Sequence, residues 1–244
     1  RHIASYPEGF LAQWFSEEYG EDVTVWMFPN QGVQPVRQAY EKLIQYLNID
    51  ALILVDGGVD SIMRGDEEAP GTLIEDSISL AAVAPLDIPV KILACIGFGT
   101  EVEEMLCHHH ALENIAGLAK AGGFIGSCAL TPQMESFQFF EQGCRYVWEQ
   151  PEHGKSHIST RIIPAVHGEF GDFHMYPDDT RHRYINLFIS PLMSLYWFFD
   201  ANVVIQRNLL MNALEDTYIK QEAFTRYVML KRTMRTRPRR DIPY

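Results

Sequence analysis

The chain has 244 residues, a formal charge of −12 from 20 basic and 32 acidic side chains, and a hydrophobic content of 47%. That is enough apolar chain for one large α/β domain or two small ones, and it excludes a disordered polypeptide. The acidic balance argues against nucleic acid or an anionic membrane as partner, and no stretch is apolar and long enough to cross a bilayer or act as a signal peptide.

Strand-like and helix-like runs alternate along the first 150 residues. Asp22–Phe28 is β-branched and aromatic and reads as a first strand, closed by the turn residues 29–32. Pro35 then opens a helix with Val36, Ala39, Tyr40, Leu43 and Leu47 at helical spacing. A second strand spans 51–55. After an acidic loop, Thr72-Leu-Ile-Glu75 matches a capping box ahead of a small-residue helix that stops before Pro85. A third strand covers 90–96 and closes on Gly97-Phe98-Gly99. The next helix carries Leu112, Ile115 and Leu118 on one stripe and ends at Gly122. Strand four, 124–130, is followed by a helix opened by Thr131-Pro132, with Phe137, Phe140, Cys144 and Val147 inward.

Beyond residue 150 the rhythm loosens. A helix is expected over 158–166, a fifth strand over Tyr184–Ser190, and mostly helix from Pro191 to about Thr236. The aromatic string Tyr196-Trp197-Phe198-Phe199 reads as core. Successive β-then-α units predict an α/β fold: a Rossmann-like three-layer sandwich, its sheet mainly parallel, with helices on both faces and a helical C-terminal extension. One domain, 1–244, is expected, with regular units over 22–150 and a looser cap and C-terminal part over 151–244.

Cys95, Cys107, Cys128 and Cys144 form no CxxC pair, which fits a reducing, cytoplasmic setting. Arg226, Lys231, Arg232, Arg235, Arg237, Arg239 and Arg240 crowd the C-terminus. They read as a solvated helix end and tail, with a nucleic-acid arm or a subunit-docking tail as the alternatives.

The run Ala51-Leu-Ile-Leu-Val carries most of the functional signal, because it stops abruptly at Asp56-Gly57-Gly58-Val-Asp60-Ser61. Ligands of open α/β sheets bind at the carboxyl ends of strands. Asp56 there is a candidate metal ligand or general base, or a carboxylate that caps loop amides. Asp60 is a candidate for the same roles, and Asp66 for metal ligation, so Mg²⁺ or another divalent cation is the cofactor these acids suggest. Gly57, Gly58, Gly97 and Gly99 leave backbone amides open to a ligand, and Ser61 joins them. Arg64 either clamps an anion or neutralises its acidic neighbours. Gly97-x-Gly99 lacks the third glycine of the dinucleotide fingerprint, since Val102 stands there. His108, in Cys107-His-His-His110, and His167, in His-Gly-Glu-Phe-Gly-Asp172, are candidate proton carriers, with Asp172 a candidate ligand contact. Three adjacent histidines cannot all face one metal.

The motifs Leu54-Val-Asp-Gly-Gly-Val-Asp-Ser-Ile-Met-Arg-Gly-Asp-Glu67, Gly97-Phe-Gly99, Leu112-Glu-Asn-Ile115, Gly168-Glu-Phe-Gly-Asp172, Ser190-Pro-Leu-Met193 and Arg240-Asp-Ile-Pro243 resemble those of the domain of unknown function 1152 family of archaea and bacteria. The resemblance implies a Rossmann-type α/β protein and carries no established activity. It also implies a further N-terminal strand and glycine-rich loop ahead of Arg1, so that this chain would be N-terminally truncated and would expose a sheet face or edge. The leading expectation is an enzyme that hydrolyses, or transfers a group from, a small anionic metabolite, phosphorylated or nucleotide-like. A non-catalytic small-molecule sensor and a structural subunit docking through the basic C-terminal helix are the alternatives, with a homo-oligomer compatible with each.

Overall fold

The computed structural model describes residues 6–28, 30–101, 105–150, 154–176 and 188–242. Its first element, α1 (Pro7–Tyr19), has no counterpart among the runs read from sequence. The helix begins on a proline and ends on Gly20 at φ 68°, residues that start and stop helices with least strain. Trp14 buries one face of α1 against Phe139 of α5 (Glu135–Glu149).

From α2 (Val33–Leu47) the elements run close to their expected places: β1 (Ala51–Gly57), α3 (Ile74–Val83), β2 (Val90–Ile96), α4 (His108–Lys120), β3 (Phe124–Ala129) and α5. The capping box is an exception. Thr72 gives its amide and its hydroxyl to Asp60 Oδ2, at 2.7 and 2.9 Å, and α3 starts two residues later without a side-chain cap.

The segment Asp22–Phe28 is not a strand. It lies along α2, with Phe28 edge-on to Tyr40 and Trp26 edge-on to Tyr46. A β-prone sequence becomes a strand only beside another strand, and here its neighbour is a helix.

The later half departs further from expectation. After α6 (Ser159–Val166) come two-residue strands β4 (Gly171–Asp172) and β5 (Phe188–Ile189), which pair with each other. The fifth strand expected over 184–190 therefore survives only at β5; 184–187 and the polar cluster 177–182 fall outside the described residues. The run expected to be helical from Pro191 instead contains β6 (Leu195–Asp200), before α7 (Ala201–Arg207), α8 (Met211–Leu214) and α9 (Lys220–Thr233). Leu-Tyr-Trp-Phe-Phe is too short and too uniformly apolar to show a period, and its aromatics favour a strand buried on both faces.

β6 changes the sheet. The strand order is β1-β2-β6-β3. β1 and β2 pair in parallel, while β6 is antiparallel to both β2 and β3. The fold is α/β, but its sheet is mixed rather than mainly parallel, with two of the three ladders antiparallel. On one face Leu54, Leu93, Cys95, Trp197 and Phe199 pack with residues of α2, α3, α4, α7, α8 and α9. On the other, Ile96 and Tyr196 pack with Phe137, Phe140 and Trp148 of α5 and Ile162 and Ile163 of α6. No helix among the described residues is long and apolar enough to cross a membrane.

The chain beyond α9 is tied back to the acidic loop after β1. The Arg237 amide donates to the Asp66 carbonyl and the Glu68 amide to the Arg237 carbonyl. The Arg237 guanidinium donates to Asp66 Oδ1 at 2.8 Å and to Glu67 Oε1 at 2.6 Å. Glu67 has no exposed side-chain surface. Its carboxylate also accepts the Arg64 and Gly65 amides and the Asn114 amide group. Removing one partner of such a buried pair strands a charge. Arg237→Ala should therefore cost about 3 kcal/mol in denaturant-induced unfolding; an unchanged midpoint would show that the amides alone carry Glu67.

Among the described residues β1 is an edge strand, with no lysine, proline or bulge to protect it, and its Ile53 and Val55 are 56% and 64% exposed. Open edges of this kind invite pairing between molecules. Val55→Lys should reduce concentration-dependent association in light scattering while leaving the thermal midpoint nearly unchanged.

Candidate functional site

Parallel pairing of β1 with β2 sets Asp56 beside Cys95 and Gly57 beside Ile96. The loops that follow, bearing Asp56-Gly57-Gly58 and Gly97-Phe98-Gly99, thus leave the sheet on one rim. Asp56 ends β1, and the 3₁₀ turn Asp60–Ile62 returns Asp60 and Ser61 into the protein, both buried. Asp76 comes from the first turn of α3. Carboxylate oxygens of Asp56, Asp60 and Asp76 all lie within 4.8 Å of one another.

A fourth acid joins them from the β2–α4 loop. Glu101 is buried and accepts the Val59 amide at 2.6 Å. A Cβ on Gly58 would stand 2.5 Å from the Glu101 carboxyl carbon, so this position needs the missing side chain for the two loops to meet. Gly97, at φ +91°, turns the opposite loop, and its carbonyl accepts both the amide and the hydroxyl of Thr100.

The charges here are poorly compensated. Among the described residues none of these four acids pairs with a lysine or arginine. Burial first, then the neighbouring Asp60, raises the Asp56 carboxyl to about 6, against the donated Ser61 hydrogen bonds. Burial, then Asp60 and Asp56, lifts Glu101 to about 10. Asp76 is held well above the carboxylate range by burial and by Asp56 and Asp60. Burial and Asp56 likewise raise the Cys95 thiol, whose sulfur sits 3.2 Å from the Ser61 hydroxyl.

A cleft of about 190 Å³ leads to this cluster along the outer edge of β1. Leu52 to Asp56, Ser61, Leu93, Asp76, Ser79, Leu80 and Tyr40 line it. It is smaller than a typical organic-ligand pocket, which suits a cation with a small anion.

The candidates read from the amino-acid sequence separate on this geometry. Asp56, Asp60, Ser61, Gly57, Gly58 and Gly97 gather at or beside the cluster. Gly99 and His108 share the rim: the imidazole lies 3.8 Å from where a Gly99 Cβ would be and against Phe98. Burial, then Arg239, lowers the His108 pKa, so the ring is neutral at pH 7.

Four candidates stand apart from the cluster. Asp66 is bound by Arg237 and has its pKa lowered, the arginine's hydrogen bonds and charge outweighing burial. Arg64 approaches Asp66 at 4.0 Å and does not line the cleft. His167 closes α6 and pairs with Glu141 of α5 at 2.8 Å. Asp172 is exposed on β4 beside His174.

Asp76, read from sequence only as one acid of the charged stretch Asp60–Asp76, and Glu101, not singled out there, complete the cluster. Each had a signal. Asp76 is a first-turn acid on the helix after the strand-end loop, and Glu101 follows the Gly-x-Gly turn. Arg161 carried no such signal: buried among Ile162 and Ile163, it donates to the Thr100 carbonyl next to Glu101.

A family model described as a protein of unknown function (DUF1152) matches residues 11–233. The chain belongs to that family. No curated protein and no solved structure gave a match.

A carboxyl whose pKa is raised by folding binds protons more tightly in the native state, so its stabilising effect is present below the unfolded value and lost as pH rises through the folded value. Without divalent cations, stability should fall as pH rises from about 4 through about 6 as Asp56 ionises, and further towards about 10 with Glu101. Asp56→Asn removes the first step and should be more stable than wild type at pH 8 by on the order of 1 kcal/mol. Parallel pH profiles of the two proteins in thermal melts would contradict this.

Proposed function

We propose that the chain is a divalent-cation site protein acting on a small anionic, phosphorylated or nucleotide-like metabolite, by hydrolysis or group transfer at the β1–β2 rim. The observation that carries the reading is the convergence of Asp56, Asp60 and Asp76 oxygens within 4.8 Å, in a buried place that no lysine or arginine among the described residues neutralises. Oxygen donors of this kind fit a hard cation such as Mg²⁺. The fit is supported by the raised proton affinity of Asp56, Asp76 and Glu101, which marks carboxylates short of positive charge.

In this reading Asp56, Asp60 and Asp76 hold the cation, and Glu101 stands next to it while tying down the Val59 amide. A bound Mg²⁺ would polarise a phosphoryl oxygen and orient the anion. Ser61, which lines the cleft beside Asp56 and Asp76, would contact the anion there, with the Gly57-Gly58 turn behind it. The neutral His108, on the same rim, would accept a proton. Thr72, bonded twice to Asp60, fixes the orientation of that carboxylate.

The position of His167, engaged with Glu141 on another part of the surface, leaves the rim one proton carrier instead of two. That favours, as the second reading, a protein that binds its ligand without turnover. The docking reading finds less support, because Lys231 donates to the Gly65 and Glu67 carbonyls and Arg237 binds Asp66 and Glu67. Those cations are engaged within the chain.

Calorimetric titration of the chelator-treated chain with MgCl₂ and MnCl₂ at pH 7.5 tests the cation site. One ion should bind per chain, and Asp56→Asn or Asp76→Asn should weaken it by at least about tenfold, whereas Asp172→Asn should not. Absence of binding, or equal affinity in all three variants, would overturn the proposal. Product analysis with p-nitrophenyl phosphate in the presence of Mg²⁺ then separates turnover from binding alone.

A further inference from the structure

We propose a second metal site, for a transition metal such as Zn²⁺ or Ni²⁺, formed by His109, His110 and Glu113 on the first turns of α4. One ligand atom from each of these side chains lies within 4.8 Å of the other two. Helical spacing explains the convergence. His109 and Glu113 are four residues apart and His110 and Glu113 three apart, so both imidazoles share a face with the same carboxylate. His108 turns instead to Phe98, which removes the obstacle of three adjacent histidines crowding one ion.

Independent support comes from unused ring nitrogens. Nδ1 of His109 and Nδ1 of His110 are both buried with no hydrogen-bond partner among the described residues. His110 is only 2% exposed. A buried acceptor or donor left unpaired is costly, and native proteins seldom leave two on neighbouring side chains. Coordination accounts for them.

Two imidazoles and one carboxylate make a donor set for a borderline metal, with positions left open. The Asp56 cluster offers oxygen only, so the two sites differ in the ions they select. Arg237 already pairs with Glu113 Oε2. Coordination therefore uses Oε1, or moves the guanidinium towards Asp66 and Glu67, which it also binds.

The test uses the full chain, untagged and stripped with a chelator. It is titrated with ZnCl₂ in a calorimeter and, separately, with CoCl₂ while visible absorption is recorded. One Zn²⁺ should bind per chain, with Co²⁺ bands typical of nitrogen and oxygen ligands. His109→Ala and Glu113→Gln, both at less buried positions than His110, should each weaken Zn²⁺ by more than about tenfold with unchanged circular dichroism. Asp56→Asn should leave Zn²⁺ affinity intact, which keeps this site distinguishable from the carboxylate cluster. No zinc binding, zinc binding indifferent to His109→Ala and Glu113→Gln, or zinc binding lost only in Asp56→Asn would each overturn the assignment.

Discussion

A carboxylate removed from water has to be neutralised, by a cation, by hydrogen-bond donors or by a proton, and this chain answers that demand in two ways around one loop. Glu67, with Asp66 beside it, meets a guanidinium, two backbone amides and an asparagine. Asp56, Asp60, Asp76 and Glu101 meet amides and hydroxyls but chiefly one another. The first arrangement is complete in itself and serves to fasten the C-terminal strap to the β1 loop. The second is electrostatically unfinished. Protons complete it up to the raised pKa of each acid, about 6 for Asp56 and about 10 for Glu101, and in the proposed function a divalent cation would take their place, which is why the same acids that burden the fold are the best candidates for its function.

How far this could be read from sequence follows from where the signals are local. The strand-end motif at Asp56 and the parallel β1–β2 pair are local: an apolar run, an acid, glycines and a helix of crossover length. Asp76 and Glu101 entered the cluster through tertiary packing. Asp76 needed the α3 turn to fold back over Asp60, and Glu101 needed Gly58 to admit its carboxyl. Arg64 and Asp66 looked like site residues because they sit beside Asp60 in sequence. The backbone between them turns, however, and Arg237, some 170 residues away along the chain, claims the acid. Long-range ion pairs leave no periodic trace.

β6 shows the same limit in the fold. Its six residues carry no alternation, since both faces are covered, so periodicity does not distinguish such a run from a buried helical turn and only its aromatic content leans towards a strand. Its antiparallel insertion between β2 and β3 places later chain in the centre of the sheet. Asp22–Phe28 errs in the opposite direction. It has the composition of a strand and lacks a neighbouring strand to pair with. Sheet membership is a property of two segments, whereas composition describes one.

The edge position of β1 shapes what the site can do. Because β1 has a strand on only one side among the described residues, the cluster is walled by β2 and the Gly97–Glu101 loop on that side and by α3 and Tyr40 on the other. A site between two central strands would be enclosed by backbone already committed to hydrogen bonds. Here the unpaired groups of Leu52 to Val55 line the approach instead. In the proposed function, a ligand entering along that edge would meet this backbone first and the carboxylates last. Under the proposed function, backbone on the way in and uncompensated carboxylates at the end would favour a ligand that is compact, polar and able to travel with a cation.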